Sequence, residues 1–239
     1  DVCSSDLTGV EQRAVQDAAE YAGARRPVHI IEEPMAAAIG ADLPVHEPSG
    51  NMIVDIGGGT TEVAVISLGG IVVAQSVRVA GDELDDAIVS YVRTQFSLDI
   101  GVNTAEDIKI AMASAWPLAH ELSADVGGRD TVTGLPRTID LSSEQVREAI
   151  AEPVTAIIDA VKSTLDRTPP ELAADIIGHG LVLSGGGALL TGLAERVTNE
   201  TGIHAYLAPE PLESVVLGCG LTLDNIDAMK GLTAQTSFD

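Results

Sequence analysis

The sequence predicts an α/β fold, a mixed sheet flanked by helices, with a small inserted subdomain. Three observations carry that expectation. Apolar strands follow one another closely between Met52 and Val79, as in a meander. After Leu181, strands alternate with helices, as they do when helices pack on a sheet. The chain has 239 residues, of which 45% are hydrophobic but only 3% aromatic, so its core must be built from Val, Ile, Leu and Ala.

The elements are expected in the following order. Thr8 and Glu11 have capping-box spacing, and Val10, Ala14, Val15, Ala18 and Ala22 recur at helical period up to Gly23. Val28–Ile31 reads as a short buried strand. Glu32-Glu33-Pro34 breaks it and leads into a helix of small residues, Met35–Ile39. Leu43–Gly50 is a linker. Strands follow at Met52–Ile56, Glu62–Ser67 and Ile71–Val79, and Gly81-Asp82 opens a helix in which Asp82 reads as the N-cap. The inserted subdomain covers 99–141. It holds a helix at Ala105–Ala115 and strands near Leu122–Val126 and Arg137–Leu141, separated by the turn-rich Gly127–Pro136. Ser142 and Gln145 form a second capping-box pair, and Val154, Ile157, Ile158, Val161 and Leu165 make the stripe of a longer helix opened by Pro153. Glu171–Ile177 is a short helix and Leu181–Ser184 a strand. Gly185-Gly186-Gly187 runs directly into a helix Leu189–Asn199. His204–Ala208 is a strand, Pro211 opens a last helix to Met229, and Lys230–Asp239 is a tail, expected to be disordered. Gly218 and Gly220 permit close packing of that last helix.

Several functional classes are set aside by composition. A net charge of -23, from 13 basic and 36 acidic residues, argues against a nucleic-acid partner and against simple electrostatic attachment to anionic lipid. Cys3 and Cys219 give no disulfide framework, which suggests a reducing, cytoplasmic setting. The five histidines show no ligand spacing for a structural metal. No apolar run approaches membrane-spanning length, and no signal peptide is visible. Asp1–Leu7, DVCSSDL, is what a common sequencing adapter gives in translation, so these residues are read as an artefact fused to a truncated gene.

The chemistry concentrates in Val54-Asp55-Ile56-Gly57-Gly58-Gly59-Thr60-Thr61-Glu62. Adjacent glycines let backbone amides converge on an anion, threonine hydroxyls add donors, and Asp55 is placed to hold a cation against that anion. The competing reading is a plain Gly-rich hairpin. Ser184–Leu189 carries a second glycine triplet at a strand–helix turn, and two such loops could pinch one nucleotide. Glu33, at a strand end, could orient a water for attack on a phosphoryl group, or could only stabilise a helix N-terminus. Glu106 and Lys109, three apart on one helical face, could bond a ribose and an adenine, or form a surface ion pair.

Together these residues resemble the superfamily of actin, sugar kinases and heat-shock ATPases, and within it the MreB family of bacterial actin homologues that determine rod shape. IEEPMAAAIGA at Ile31–Ala41, VDIGGGTTEVAVISL at Val54–Leu68 and LSGGGALLTGL at Leu183–Leu193 carry the resemblance, which runs from about Thr8 to Met229. It implies an actin-like ATPase with a ribonuclease H-like sheet. It assigns Glu33 as the acid that positions the hydrolytic water, and Asp55 to Mg2+ through water. Gly58, Gly59 and Thr60 become phosphate contacts. Glu106, Asp107, Ile108 and Lys109 become the sugar and base clamp, and Gly186, Gly187, Ala188 and Leu189 the adenosine loop. ATP and Mg2+ are the implied cofactors.

The family's first phosphate loop, of the type DLGTANT, is not found in this sequence. The resemblance therefore implies a C-terminal part: 8–48 as the remnant of a first domain, and 49–98 with 142–229 as the second large subdomain. Half of the nucleotide cleft would be lacking, and such a fragment should bind ATP poorly and be inactive, whereas the intact protein would be a slow ATPase. The implied function is a cytoskeletal protein forming membrane-associated filaments with copies of itself. It would sit in the cytoplasm at the inner face of the membrane and organise the cell-wall elongation machinery, touching the membrane through its N-terminal part. The alternatives are a heat-shock-type chaperone ATPase and a sugar or acetate kinase.

Overall fold

A computed structural model describes residues 8–225. Helix α1 (Gly9–Tyr21) starts at the expected N-cap: the Thr8 hydroxyl accepts from the Glu11 amide, and the Glu11 carboxylate accepts from the Thr8 amide. It buries none of its residues. Helix α2 (Glu33–Gly40) is its opposite, with Pro34 through Ile39 all buried.

Strands β1 (Asn51–Ile56), β2 (Thr61–Ser67) and β3 (Gly70–Val77) form the antiparallel meander. The β2–β3 turn is the two-residue Leu68-Gly69, both with positive φ, the geometry that suits the twist of a hairpin. Then come α3 (Gly81–Phe96), β4 (Leu98–Asp99), α4 (Val102–Met112), β5 (Ser123–Asp130), β6 (Pro136–Ser142), α5 (Ser143–Ala149), α6 (Ala151–Asp166) and α7 (Pro170–His179). Strand β7 (Leu181–Ser184), a 3-10 turn at Gly186–Leu189, α8 (Leu193–Thr201), β8 (Ala205–Leu207) and α9 (Ser214–Asp224) complete the described chain.

The main sheet has the order β3-β2-β1-β7-β8, antiparallel on the β2 side of β1 and parallel on the β7 side. Every residue of β1 and β2 is buried, as expected of central strands covered on both faces. Met52, Val54, Ile56, Val63 and Val65 pack on one face with α3, α4 and α6, whereas Ile53, Ala64, Ile66 and Val182 pack on the other with α2. The segment 99–141 carries its own sheet, β4-β5-β6. Yet Ala105, Ile108, Met112, Val126 and Leu141 join the same buried cluster as the first face of the main sheet, so the two are held by one core.

The structure departs from sequence expectation in several places. Val28–Ile31 is not a buried strand. Only Ile31 makes a bridge, because no described strand runs alongside to pair with the rest. Glu33 is the first residue of α2 and the extended residue is Glu32 (φ −69°, ψ 135°), although a residue before proline is biased to extended backbone. Strand β5 runs through Gly127-Gly128, a pair that the sequence predicts as turn. A Cβ at Gly128 would lie 2.5 Å from the Asp99 carbonyl oxygen, so the glycine lets β4 approach. The helix after Gly185 starts only at Leu193. Thr191 is bridged to Ser114 and its carbonyl accepts from the Ala115 amide at 2.7 Å, which holds the chain off the helical path until Gly192 (φ +76°). Helix α9 starts at Ser214 rather than Pro211, whose carbonyl instead accepts from the Gly185 amide. Gly218 is in close contact with α2 as expected, but a Cβ at Gly220 would meet nothing within 4 Å. The expected residues 1–7, the last helix beyond 225 and the tail lie outside the described residues.

Candidate functional site

A cavity of about 580 Å³ opens at the C-terminal edge of the sheet. Gly57 and Gly58 line one side, Gly186, Gly187 and Leu189 another, and Glu106 and Lys109 of α4 a third. Thus the two glycine triplets and the 106–109 segment, separated by up to 130 residues of sequence, meet around one space (187 − 57 = 130). No single element builds it. Strand β1 delivers the first loop, the parallel neighbour β7 delivers the second, and α3 with α4 closes the side.

The two glycine loops differ in why they are glycine. At Gly185 φ is +81°, and a Cβ would lie 2.3 Å from the Ile56 carbonyl oxygen; at Gly187 a Cβ would lie 2.3 Å from Ile56 Cγ2. The fold itself requires these two. At Gly57, Gly58 and Gly59 no such demand exists: the nearest atoms to a Cβ are at 3.4, 3.5 and 4.0 Å, ordinary contact, and none has positive φ. Glycine costs conformational entropy on folding. Three in succession with no steric reason leave room for a group that is not protein. The Gly57 amide is spent on the Thr60 carbonyl at 2.9 Å, while the amides of Gly58 and Gly59 find no acceptor among the described residues.

The first turn of α3 is moulded onto this loop. The Gly81 amide donates to the Gly57 carbonyl (3.1 Å) and the Asp82 amide to the Gly58 carbonyl (2.8 Å). Asp82 is not the N-cap. That position is Ala80, whose amide is capped by Glu83 Oε2 at 2.9 Å. The Asp82 carboxylate instead stands against Gly58 and Gly59 and lines the cavity. Lys109 makes no ion pair with Glu106. Its Nζ donates to Asp85 Oδ2 (2.6 Å) and to the Gly81 carbonyl (3.0 Å). Glu106 is exposed in the wall. Asp107 is exposed and outside the lining, and Ile108 and Ala188 are buried in the core.

The other acids sit across the sheet. Asp55 shares a strand face with Ile53, and Glu62 shares one with Ala64 and Ile66, so both face the α2 side rather than the cavity side. The loop Gly57–Thr60 is the rim between them. Asp55 is 5% exposed and its Oδ1 has no partner. Burial pushes its carboxyl above the usual range, the nearby Ser184 hydroxyl opposes this, and the charge of Glu62 adds to it. Glu33, at the start of α2, is also raised, first by burial and then by the charges of Asp55 and Glu62. Glu62 is further held by the Ser76 hydroxyl, which donates to its Oε1 at 2.7 Å. Among the described residues no three His, Cys, Asp or Glu side chains are grouped closely enough to hold a metal ion alone.

Sequence reasoning brought the glycine loops, Glu106 and Lys109 to one place but missed Asp82 and Asp85. Asp85 carried a signal: it falls within the buried face of α3 with Leu84, Ile88 and Val92, where an acid is rarely found without a partner.

Residues 2–231 match the family model described as MreB/Mbl protein. The chain belongs to the MreB/Mbl family. It is 48% identical over 227 residues to the cell shape-determining protein Mbl of Bacillus subtilis, covering 95% of this chain and 68% of that protein. It is 51% identical over 224 residues to the cell shape-determining protein MreB of Escherichia coli, covering 94% of this chain and 64% of that one. This MreB/Mbl chain therefore spans about two thirds of the length of these relatives. Among solved structures, MreB5 of Spiroplasma citri bound to ADP superposes with a TM-score of 0.90 at 38% identity, over 93% of this chain and 67% of the other. The actin-like fold is thereby established, and the chaperone and kinase alternatives gain no support. No described helix of this MreB/Mbl chain is long and apolar enough to cross a membrane.

Proposed function

We propose that this chain forms one side of an adenine-nucleotide site in a cytoskeletal protein that controls cell shape. One observation carries the reading. Gly57 and Gly58, which the fold does not need as glycines, face Gly186, Gly187 and Glu106 across a cavity of about 580 Å³, within the range of small-molecule sites. The MreB5 neighbour that holds ADP has the same fold, and the family relatives are named for cell shape.

In this reading the amides of Gly58 and Gly59, with Thr60, bond the phosphates, a role suited to a protein of net charge -23 because it needs no basic side chain. The Gly186–Leu189 turn and Glu106 flank the nucleoside. Asp107 and Ile108 contribute through the helix that carries them rather than through contact. The chemistry of Asp55 fits Mg2+: a buried carboxylate oxygen without a partner, beside the loop that would hold the phosphates, is an acceptor awaiting a cation or its water. Mg2+ would neutralise phosphate charge there. Glu33, at the start of α2 on the same side of the sheet as Asp55, would orient the water that attacks the terminal phosphate. The chain would associate with copies of itself into filaments beneath the inner membrane and organise cell-wall elongation; the cell-shape names of its relatives support this reading, and the site does not bear on it.

Calorimetric titration of this chain with Mg-ADP and Mg-ATP tests the site. Weak saturable binding, in the range of about 1 mM or near −4 kcal/mol, is expected from one phosphate loop. Absence of saturation up to about 10 mM overturns the assignment. Sedimentation tests the assembly: ATP-dependent pelleting supports filaments, and peptide-stimulated ATPase activity without pelleting refutes them.

A further inference from the structure

Asp85 stands behind the cavity wall rather than in it. It lies one turn into α3, is 4% exposed, and does not line the cavity. Its Oδ2 holds Lys109 Nζ at 2.6 Å, and the same ammonium donates to the Gly81 carbonyl at 3.0 Å. Gly81 and Asp82 in turn donate their amides to the Gly57 and Gly58 carbonyls. One continuous bonded path therefore runs from a buried carboxylate through Lys109 in the cavity wall to the backbone of the glycine loop on β1.

As a stability device this arrangement is poor. The Oδ1 of Asp85 is buried with no partner, and an ion pair taken out of water with a lone pair unsatisfied gains little over an apolar replacement. What it does supply is direction. Without Asp85 the lysine, a flexible stem with three rotatable donors, has the acids Glu106 and Asp82 of the cavity wall as its neighbours and would turn into the space. With Asp85 in place the ammonium is drawn down onto Gly81, the charge is cancelled, and the cavity is left open.

We propose that Asp85 is a positioning residue: by holding Lys109 on the Gly81 carbonyl it fixes the first turn of α3, and through that turn the Gly57–Gly58 loop. Lys109 is then the bolt between α4 and the loop. The effect on nucleotide rests on the function proposed above; the mechanical coupling does not.

Amide hydrogen exchange on the whole chain tests the coupling without any ligand, using Asp85→Asn, Lys109→Met and the double variant. Exchange at Gly81 and Asp82 should rise about tenfold or more in each single variant, and no further in the double, because both break the same path. Core amides of β1 and α6 should not change. Unchanged exchange at Gly81 and Asp82, additive effects, or equal acceleration of the core would each overturn the proposal. Titration then separates it from the nucleotide reading. Asp85→Asn should weaken Mg-ADP by about tenfold or more and adenosine by less, since the loop is disturbed more than the nucleoside wall. If the parent chain binds neither ligand but the exchange pattern is as stated, the nucleotide reading fails and the positioning role stands. Equal loss of ADP and adenosine affinity would refute positioning through the loop.

Discussion

Gly218 of α9 lies so close to Ala36 of α2 that a Cβ on the glycine would sit 1.8 Å from the Ala36 carbonyl oxygen. The relationship is repeated in reverse, with a Cβ on Gly40 falling 1.8 Å from the Ser214 carbonyl oxygen. The helix that begins with Glu33 is thus seated backbone to backbone on α9. Gly218→Ala should cost about 3 kcal/mol in denaturant unfolding, because helix backbone must move rather than a side chain turn. Gly220→Ala, two residues on and facing open space, should be neutral or gain up to about 1 kcal/mol from helix propensity. Equal effects at the two positions would refute the contact.

Gly58→Ala separates a structural loop from a binding loop. The atoms nearest the added Cβ belong to the Asp82 carboxylate, the closest at 3.5 Å. Stability should stay within about 0.5 kcal/mol of the parent in thermal melts. Mg-ADP affinity should fall at least about tenfold, near 1.4 kcal/mol, because the methyl enters the phosphate approach. A melt shifted as strongly as the binding would return the loop to a purely structural role.

Asp55→Asn should raise the stability of the ligand-free chain at neutral pH by about 2–4 °C in Tm. The sign follows from linkage. The folded-state carboxyl is raised above its unfolded value, chiefly by burial, so the native state holds that proton more tightly. Stability from this group is full below the unfolded value and declines as pH rises through the window up to the folded one. Above it the cost of burying the charge is fully present, and the amide removes that cost. Below about pH 3 the parent and variant should converge, both neutral at this position. A gain that persists unchanged in acid would assign the effect to packing instead. The same variant should lose any stabilisation by Mg2+.

Ser142→Ala removes the cap of α5. The Ser142 hydroxyl accepts from the Gln145 amide and Gln145 Oε1 accepts from the Ser142 amide at 3.0 Å. A loss of about 1 kcal/mol is expected in chemical denaturation. No loss would show that tertiary packing alone fixes this helix start.

Several elements were legible because their signals are local. The meander was read from runs of Val and Ile, and the helix starts at Thr8 and Ser142 from capping spacing. Leu181–Ser184 was read to the residue from apolar character bounded by glycine. Others were not local. Three apolar residues around His29 at Val28–Ile31 become a strand only where a neighbour offers its edge. A double glycine at 127–128 becomes strand where β4 needs to come close, and the chain after Gly185 stays off the helix because Ser114 and Ala115, over seventy positions earlier (191 − 115 = 76), capture Thr191.

By itself, the sequence determined that this is an α/β chain with two glycine loops after strands, an acid before the first, and the motifs of a bacterial actin. Those are properties of residue type and spacing, which survive without coordinates. Only the tertiary structure decided which partners those residues have. The alternation of β1 sends Asp55 to the α2 face, while the loop after it rims a cavity on the α3 and α4 side. The crossing of α3 and α4 gives Lys109 to Asp85 instead of Glu106. Charged side chains choose partners by distance and desolvation in three dimensions, and neither quantity is written in the spacing of the chain.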